Sequence, residues 1–223
     1  MKAAGEYRDW AGIDFRPTIS DHLPDVVTEH LPAGSRALDI GCNKGGVPLF
    51  LARHGLNVLG IDVNAAAIEG AKLSAADAGL SDRVEFRTVD ILSEEVAGSF
   101  DVVLLTRVLN CFPSVIDWLA VLKRASALVG PKGHFYVHDF LLFPEGYGAR
   151  YAAGIAMGWR SGNFAVNDAA GRMSCIAHHH SEDEVESITA PWLQVHFNVH
   201  ESLSLNGNKC RMFEFLGRRP ARK

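Results

Sequence analysis

Only four of the 223 residues are cysteine (Cys42, Cys111, Cys175 and Cys210), and no two of them form a C-x-x-C pair. That spacing excludes a cysteine-built zinc site and a disulfide framework, and free thiols fit a reducing compartment. Long apolar runs are missing as well: no stretch approaches the roughly 18 residues of a membrane span. The polar start from Met1 to Arg8 lacks the apolar core of a signal peptide. The expected location is therefore cytoplasmic, with no membrane partner. Basic excess is also missing. The 22 Lys and Arg against 26 Asp and Glu give a net charge of -4, which offers no long cationic track to a nucleic acid. The one basic cluster, Arg218-Arg219-Pro220-Ala221-Arg222-Lys223, reads as a solvated tail. There is no internal repeat and no low-complexity segment.

What is present has the balance of an ordinary soluble globule, 48% hydrophobic and 22% charged. The length suits one α/β domain with short additions, able to bury its core without a disulfide or metal staple. Strands are expected at 36–40, 57–61, 84–88, 101–105 and 133–137, several of them nearly continuous apolar runs, as parallel strands covered on both faces require. Helices are expected between them. One runs over 46–54, with Pro48 in its first turn and Gly55 as its stop. A second runs over 65–78 between Asn64 and Gly79. A third runs over 114–128, with Val115, Trp118, Leu119, Leu122 and Ala125 at helical spacing. This alternation predicts βαβ units in a doubly wound α/β sheet.

After residue 140 the pattern breaks. Residues 141–177 are rich in Gly, Tyr, Trp and Arg and lack a strong period, apart from a short hairpin expected from 163–166 and 172–177. Ser181-Glu182-Asp183-Glu184 has the form of a capping box, opening a helix to about Ile188. Two final strands, 192–199 and 210–216, are joined by the turn signal Asn206-Gly207-Asn208.

The segment most informative about chemistry is Leu38-Asp39-Ile40-Gly41-Cys42-Asn43-Lys44-Gly45-Gly46, a strand running into a glycine-rich turn and then a helix. Such a turn brings backbone amides and a helix N-terminus to a ligand. A dinucleotide fingerprint places a glycine at the middle position, where the pyrophosphate approaches. Asn43 stands there instead, tolerant of left-handed angles but bearing a Cβ. Asp39 would repel a phosphate and suits an ammonium group. Asp62, 23 residues further on at the end of the second strand, is placed to take both hydroxyls of a ribose. Asp90, after the third strand in Val89-Asp90-Ile91, can accept from an adenine amino group.

On these residues the chain resembles the class I S-adenosylmethionine-dependent methyltransferases, over roughly residues 30–140 and in the terminal hairpin. The family's acid followed by G-x-G-x-G stands here as Asp39, Gly41, Asn43 and Gly45, with Asn43 departing from the commonest form. The resemblance implies a seven-stranded, mostly parallel sheet closed by a C-terminal antiparallel hairpin, and S-adenosylmethionine as cofactor. It implies cofactor contacts from Asp39, Gly41, Cys42, Asn43, Gly45, Asp62, Val63, Asp90 and Ile91. Thr106 and Arg107 match the position beneath the cofactor's methionine part. One domain is implied, with an N-terminal helical cap (1–30), a cofactor-binding core (31–140), a substrate lid (141–180) and the last helix with the terminal hairpin (181–217). Tyr7, Trp10 and Phe15 of the cap are expected to cover the site.

The acceptor side is sought at the carboxyl ends of the strands. Asn110, Tyr147, Arg150, Tyr151, His178 and His179 are the candidate substrate contacts. His138, Asp139 and His180 are the candidate catalytic groups, histidine being the natural base near neutral pH. No metal site is expected, because three consecutive residues do not easily aim at one ion and no acid–cysteine set accompanies them. His196 and His200 are read as surface or packing residues. A small-molecule acceptor of O- or N-methylation fits better than a macromolecule, with a monomer or homodimer as the assembly. The rival readings are a nicotinamide-dependent oxidoreductase and a non-catalytic cofactor-binding module.

Overall fold

The computed structural model describes Trp10 and residues 24–168, 170–204 and 207–221. Tyr7, Phe15, Asn206 and the tail residues Arg222 and Lys223 lie outside the described residues, so of the expected cap only Trp10 and the helix α1 (Asp25–His30) are placed.

From there the chain alternates as its apolar pattern requires. In order come β1 (Arg36–Ile40), α2 (Gly46–Arg53), β2 (Asn57–Asp62), α3 (Ala65–Asp77), β3 (Val84–Thr88), β4 (Phe100–Thr106), a short 3-10 turn (Leu109–Cys111), α4 (Val115–Leu128) and β5 (Val129–Leu141). The helix ends follow local chemistry. The Asn64 side chain accepts from the Ala67 amide to cap α3, and Ser114 caps α4 through the Asp117 amide. Gly55 and Gly79, both at positive φ, follow the ends of α2 and α3. The strand β5 is longer than the expected 133–137. It begins at Val129, with a register shift opposite Phe100/Val102, and so carries the chain well past Asp139.

Seven strands form one sheet in the order β3-β2-β1-β4-β5-β9-β8, where β8 (Leu193–Leu203) and β9 (Lys209–Arg218) are the terminal hairpin. β1 to β5 run parallel, and β9 pairs antiparallel with both β5 and β8. The expected doubly wound sheet with its antiparallel close is the architecture found. One face packs α1, α2 and α3 around Leu51, Ile68, Leu104 and Tyr136. The other packs α4 and α6 (Glu182–Thr189) around Trp118, Val121, Phe135 and Phe213. The strand order reverses between β1 and β4, so their carboxyl ends flank the crevice where open α/β sheets bind ligands.

Between β5 and α6 lie α5 (Pro144–Ala156) and a two-stranded sheet of β6 (Asn163–Asn167) and β7 (Met173–His178). The hairpin matches expectation; the helix does not, since 141–177 carries no strong period. Three glycines weaken any intrinsic signal in α5. Tertiary packing decides instead: a Cβ at Gly154 would stand 2.3 Å from the Asn163 carbonyl oxygen, so only glycine lets β6 lie against the helix. Tyr147, Tyr151, Phe164, Ala177, Cys210 and Met212 form a third apolar cluster, which fastens this unit to β9.

Candidate active site

The loop after β1 is built from left-handed residues. Gly41, Asn43 and Gly45 have φ of 74°, 47° and 84°, values that glycine adopts freely and asparagine tolerates. Four of its amides are already engaged. Gly41 and Cys42 donate to the Ile61 carbonyl at 2.7 and 3.0 Å, Gly45 to Cys42 at 2.9 Å, and Asn43 to Asp62 Oδ2 at 2.9 Å. Asp62 Oδ1 accepts from the Asn64 amide at 2.8 Å. The loop is therefore braced against β2 rather than holding those amides out to a phosphate. Burial pushes the Asp62 carboxyl up, against the pull of these amides.

Asp39, on β1 beside Gly60 and Leu104, is buried, and its Oδ1 has no hydrogen-bond partner among the described residues. Burial and the neighbouring Asp62 push its carboxyl well above the usual range. On the adjacent strand end the Thr106 hydroxyl is also buried, with no hydrogen-bond partner among the described residues. Buried polar atoms without partners are uncommon and need a reason. The register of β1 and β4 puts this acid and this hydroxyl on the same face of adjacent strand ends, a pairing that fits a ligand bearing an ammonium and a carboxylate. Arg107 follows at φ 57°, its amide fixed to the His138 carbonyl at 2.7 Å.

Asp90 lies at the end of β3, next to Asp62 through the Val89 amide on the Asp62 carbonyl. Its Oδ1 accepts from the Leu92 amide at 3.0 Å, so it shapes its own turn as well. Val63 is half-buried beside Asp62, whereas Ile91 packs into the core with Ile61 and Leu105. Cys42 also turns its side chain inward, toward Gly60 and Phe86, leaving only its backbone in the loop.

On the acceptor side, Asp139 Oδ2 accepts from the Asn110 amide at 3.2 Å and Oδ1 from the Phe140 amide at 2.8 Å, which ties β5 to the turn after β4. Burial pushes the Asp139 carboxyl up to about 7. His138 is fully buried and stacks on His200 at 5.4 Å between ring centroids. His180 is fully buried beside Trp118 and Phe213, with Nε2 4.0 Å from Asp139 Oδ1. The three histidines alternate in direction. His179 bonds the Tyr151 hydroxyl at 2.7 Å inside the lid cluster, while His178 turns the other way and meets Glu184 at 3.0 Å. Glu184 went unnoticed as a partner in the sequence, although the capping box signals it: its carboxylate returns to the Ser181 amide at 2.8 Å.

Tyr147, Tyr151 and His179 thus form the interior of the unit between β5 and α6, with the exposed Arg150 guanidinium 5.4 Å over the Tyr147 ring. Trp10 packs against this cluster and donates to the Ile176 carbonyl at 3.2 Å. A groove lined by Ser35, Asp101, Lys132 and His134 opens at the opposite, amino ends of the strands, away from all of these groups.

Residues 38–135 match the family profile described as a methyltransferase domain. Over these residues, a little under half of its length, the chain is similar to methyltransferase domains. A crystal structure of an S-adenosylmethionine-dependent methyltransferase from Methanosarcina mazei superposes on this domain and its additions with a TM-score of 0.83 at 26% identity, covering 91% of this chain and 100% of that one. The N-methyltransferase NodS of Bradyrhizobium japonicum, solved with S-adenosyl-L-homocysteine, shares the fold at TM-score 0.62 and 19% identity over 96% of each chain. A ubiquinone biosynthesis O-methyltransferase of Acinetobacter baylyi is 32% identical over 140 residues. That match covers 60% of this chain and 57% of the relative, so the chain spans little more than half the length of that protein. Among the described residues no helix is long and apolar enough to cross a membrane.

Proposed function

We propose that this chain transfers the methyl group of S-adenosylmethionine to oxygen or nitrogen of a small-molecule acceptor. The carrying observation is the pair of buried atoms without a hydrogen-bond partner among the described residues at the carboxyl ends of β1 and β4, Asp39 Oδ1 and Thr106 Oγ1, beside a left-handed loop. A nicotinamide dinucleotide fits less well, because four loop amides are already engaged and a buried acid stands on β1 next to the loop.

The residues present fit the cofactor. Asp39 would take its ammonium, directly or through water, and the Gly41–Gly45 loop would lie against its amino-acid part. Asp62 receives the ribose hydroxyls on lone pairs not used by the amides of Asn43 and Asn64. Val63 and Asp90, with the buried Ile91 behind them, would flank the adenine, and Thr106 and Arg107 would stand beneath the methionine part. When bound, the sulfonium supplies an activated methyl group. The chain's task is then to align the acceptor and exclude water, which is worth about 7–11 kcal/mol. Asp139 is the group we favour to hold an acceptor proton, since two amides aim it beside the turn that carries Asn110. His138 and His180 are committed to packing and to the His178 cluster. The lid supports a small acceptor, with Arg150 its exposed cation.

The relatives' printed activities, O-methylation in ubiquinone biosynthesis and N-methylation, support the same chemistry. The test is calorimetric titration with S-adenosylhomocysteine, with NADH as control, followed by methyl transfer to a panel of phenols and amines. Saturable binding of S-adenosylhomocysteine alone is expected. Absence of binding at millimolar ligand, or equal binding by Asp39→Ala, removes the proposal.

A further inference from the structure

We infer that His178, His180 and Glu184 form a binding site for a divalent transition-metal ion of the zinc type, seated between the lid and the start of α6. The ligand atoms of these three side chains lie within 4.8 Å of one another. The arrangement follows from the chain. His178 ends β7, and the extended backbone continues through the bridge that pairs His180 with Leu141. Residues two apart in extended chain point to the same side, so His178 and His180 converge while His179 turns to Tyr151. Four residues on, the capping box aims Glu184 back at them. An acidic partner for the histidines, not visible as a ligand spacing in the sequence, is thus supplied by a helix cap.

The hydrogen bonds specify a cation. The Asn163 amide nitrogen donates to the Pro113 carbonyl at 3.2 Å, which turns its Oδ1 toward His178 Nδ1 at 2.8 Å. Nδ1 must therefore carry the proton, and the neutral ring presents the lone pair of Nε2 to Glu184 Oε2 at 3.0 Å. That oxygen already accepts from the Ser181 amide. Two acceptors facing each other at this distance need positive charge between them. Bonds of about 2.0–2.2 Å to one ion at near-tetrahedral angles place ligand atoms roughly 3.3–3.6 Å apart; His178 Nε2 and Glu184 Oε2 stand 3.0 Å apart, and a nitrogen of His180 lies within 4.8 Å of both. His180 supplies the third ligand: both its ring nitrogens are buried and without a hydrogen-bond partner among the described residues. Two imidazoles and a carboxylate suit a borderline-soft divalent ion.

The surroundings are those of a supported site. Asn163 fixes the tautomer of His178, as outer partners of metal-bound histidines do. Arg160 holds Oε1 of Glu184, the oxygen turned from His178, and rests over Trp118. The Asp139 carboxyl stands 4.0 Å from His180 Nε2. The groups joined belong to β7, α6 and, through Asn163 and Pro113, to β6 and the segment before α4, so an ion here would staple the lid to the core.

The rival occupant of the His178–Glu184 gap is a proton. The test is to strip the full chain with chelator, add Zn²⁺, and measure stoichiometry by elemental analysis, affinity by calorimetry and the melting temperature. One tightly bound equivalent per chain and a raised melting temperature are expected. Co²⁺ in its place should give the visible absorption of a nitrogen-and-oxygen site. His180→Ala and Glu184→Gln, the latter keeping an acceptor for the helix cap, should abolish the tight equivalent. Asn163→Ala should weaken it about 10–100-fold. Failure of stripped protein to take up stoichiometric Zn²⁺, or uptake undiminished in both ligand variants, overturns the site. So does a nitrogen-15 spectrum showing His178 protonated on both ring nitrogens in Zn²⁺-treated protein. None of these readouts depends on cofactor binding or methyl transfer.

Discussion

The Asn43 amide donates to Asp62 Oδ2 at 2.9 Å, and Asn43 holds φ of 47° to do so. One carboxylate thereby locks the loop after β1 to the end of β2, while its other oxygen holds the Asn64 amide at the start of α3. The shape of the loop and the acid proposed for ribose are one construction, which explains why Asn43 is acceptable where a dinucleotide site wants glycine.

Altering this link should separate loop shape from ligand contact. Asp62→Ala removes an acceptor of two amides, bonds worth about 1.5–3 kcal/mol each when one partner is charged. Affinity for S-adenosylhomocysteine should fall at least tenfold, read by calorimetry. Asn43→Gly keeps the left-handed turn and should leave the melting temperature nearly unchanged, whereas Asn43→Val should cost about 1–2 kcal/mol in denaturant unfolding. Equal stability of these two Asn43 variants would contradict the link.

In the lid, Tyr151 is expected to matter for stability and not for the cofactor. Its hydroxyl bonds His179 Nδ1 at 2.7 Å and receives the Phe143 amide at 3.2 Å. Tyr151→Phe leaves both groups without that partner in the lid interior, at a cost of about 1–3 kcal/mol. At roughly 2–4 °C per kcal/mol for a chain of this size, the melting temperature should drop by about 2–12 °C. Affinity for S-adenosylhomocysteine should not change, because this cluster does not touch the β1 loop.

The parts legible in the sequence are those set by short stretches of chain. Asp39, Gly41, Asn43 and Asp62 follow strand ends and a tight turn, and the structure gathers them as their spacing requires. The Ser181–Glu184 capping box is equally local, and both of its bonds are made. What escaped was decided by packing. Helix α5 forms on a glycine-rich segment because Gly154 admits the Asn163 carbonyl, a fact of tertiary contact with no periodic trace. The inward turn of the Cys42 side chain depends on Gly60 from the next strand. Tyr147 and Tyr151, read as contacts for an acceptor, form the lid's own core, a distinction invisible until β9 supplies Cys210 and Met212.

Asp139 offers a test of the acceptor side. Asp139→Asn keeps an acceptor oxygen for one of the amides of Asn110 and Phe140, sets an NH2 donor against the other, and removes the basic group. For an acceptor that must lose a proton, turnover should fall about 100- to 10,000-fold, with affinity for S-adenosylhomocysteine unchanged. His138→Asn, at a ring buried against His200, should lower stability more than turnover. Wild-type turnover by Asp139→Asn would exclude it as the base.

The cofactor's hold on Asp39 should depend on pH in a defined direction. Without ligand, burial and Asp62 keep the Asp39 carboxyl protonated well above the pH at which a free carboxyl ionises. In the unfolded chain it ionises near pH 4. Over the interval between these values the native state binds more protons, so the stability of the ligand-free protein falls as pH rises through it. A bound ammonium favours the carboxylate and reverses this, so binding expels the proton. Affinity for S-adenosylhomocysteine should therefore climb with pH through that interval and then level off. Calorimetry in buffers of different ionisation enthalpy should show proton release on its lower side. The increase in melting temperature caused by the ligand should grow with pH in the same range. Asp39→Asn should flatten both curves and leave affinity low throughout. Unaltered pH dependence in that variant would place the linked proton on another group.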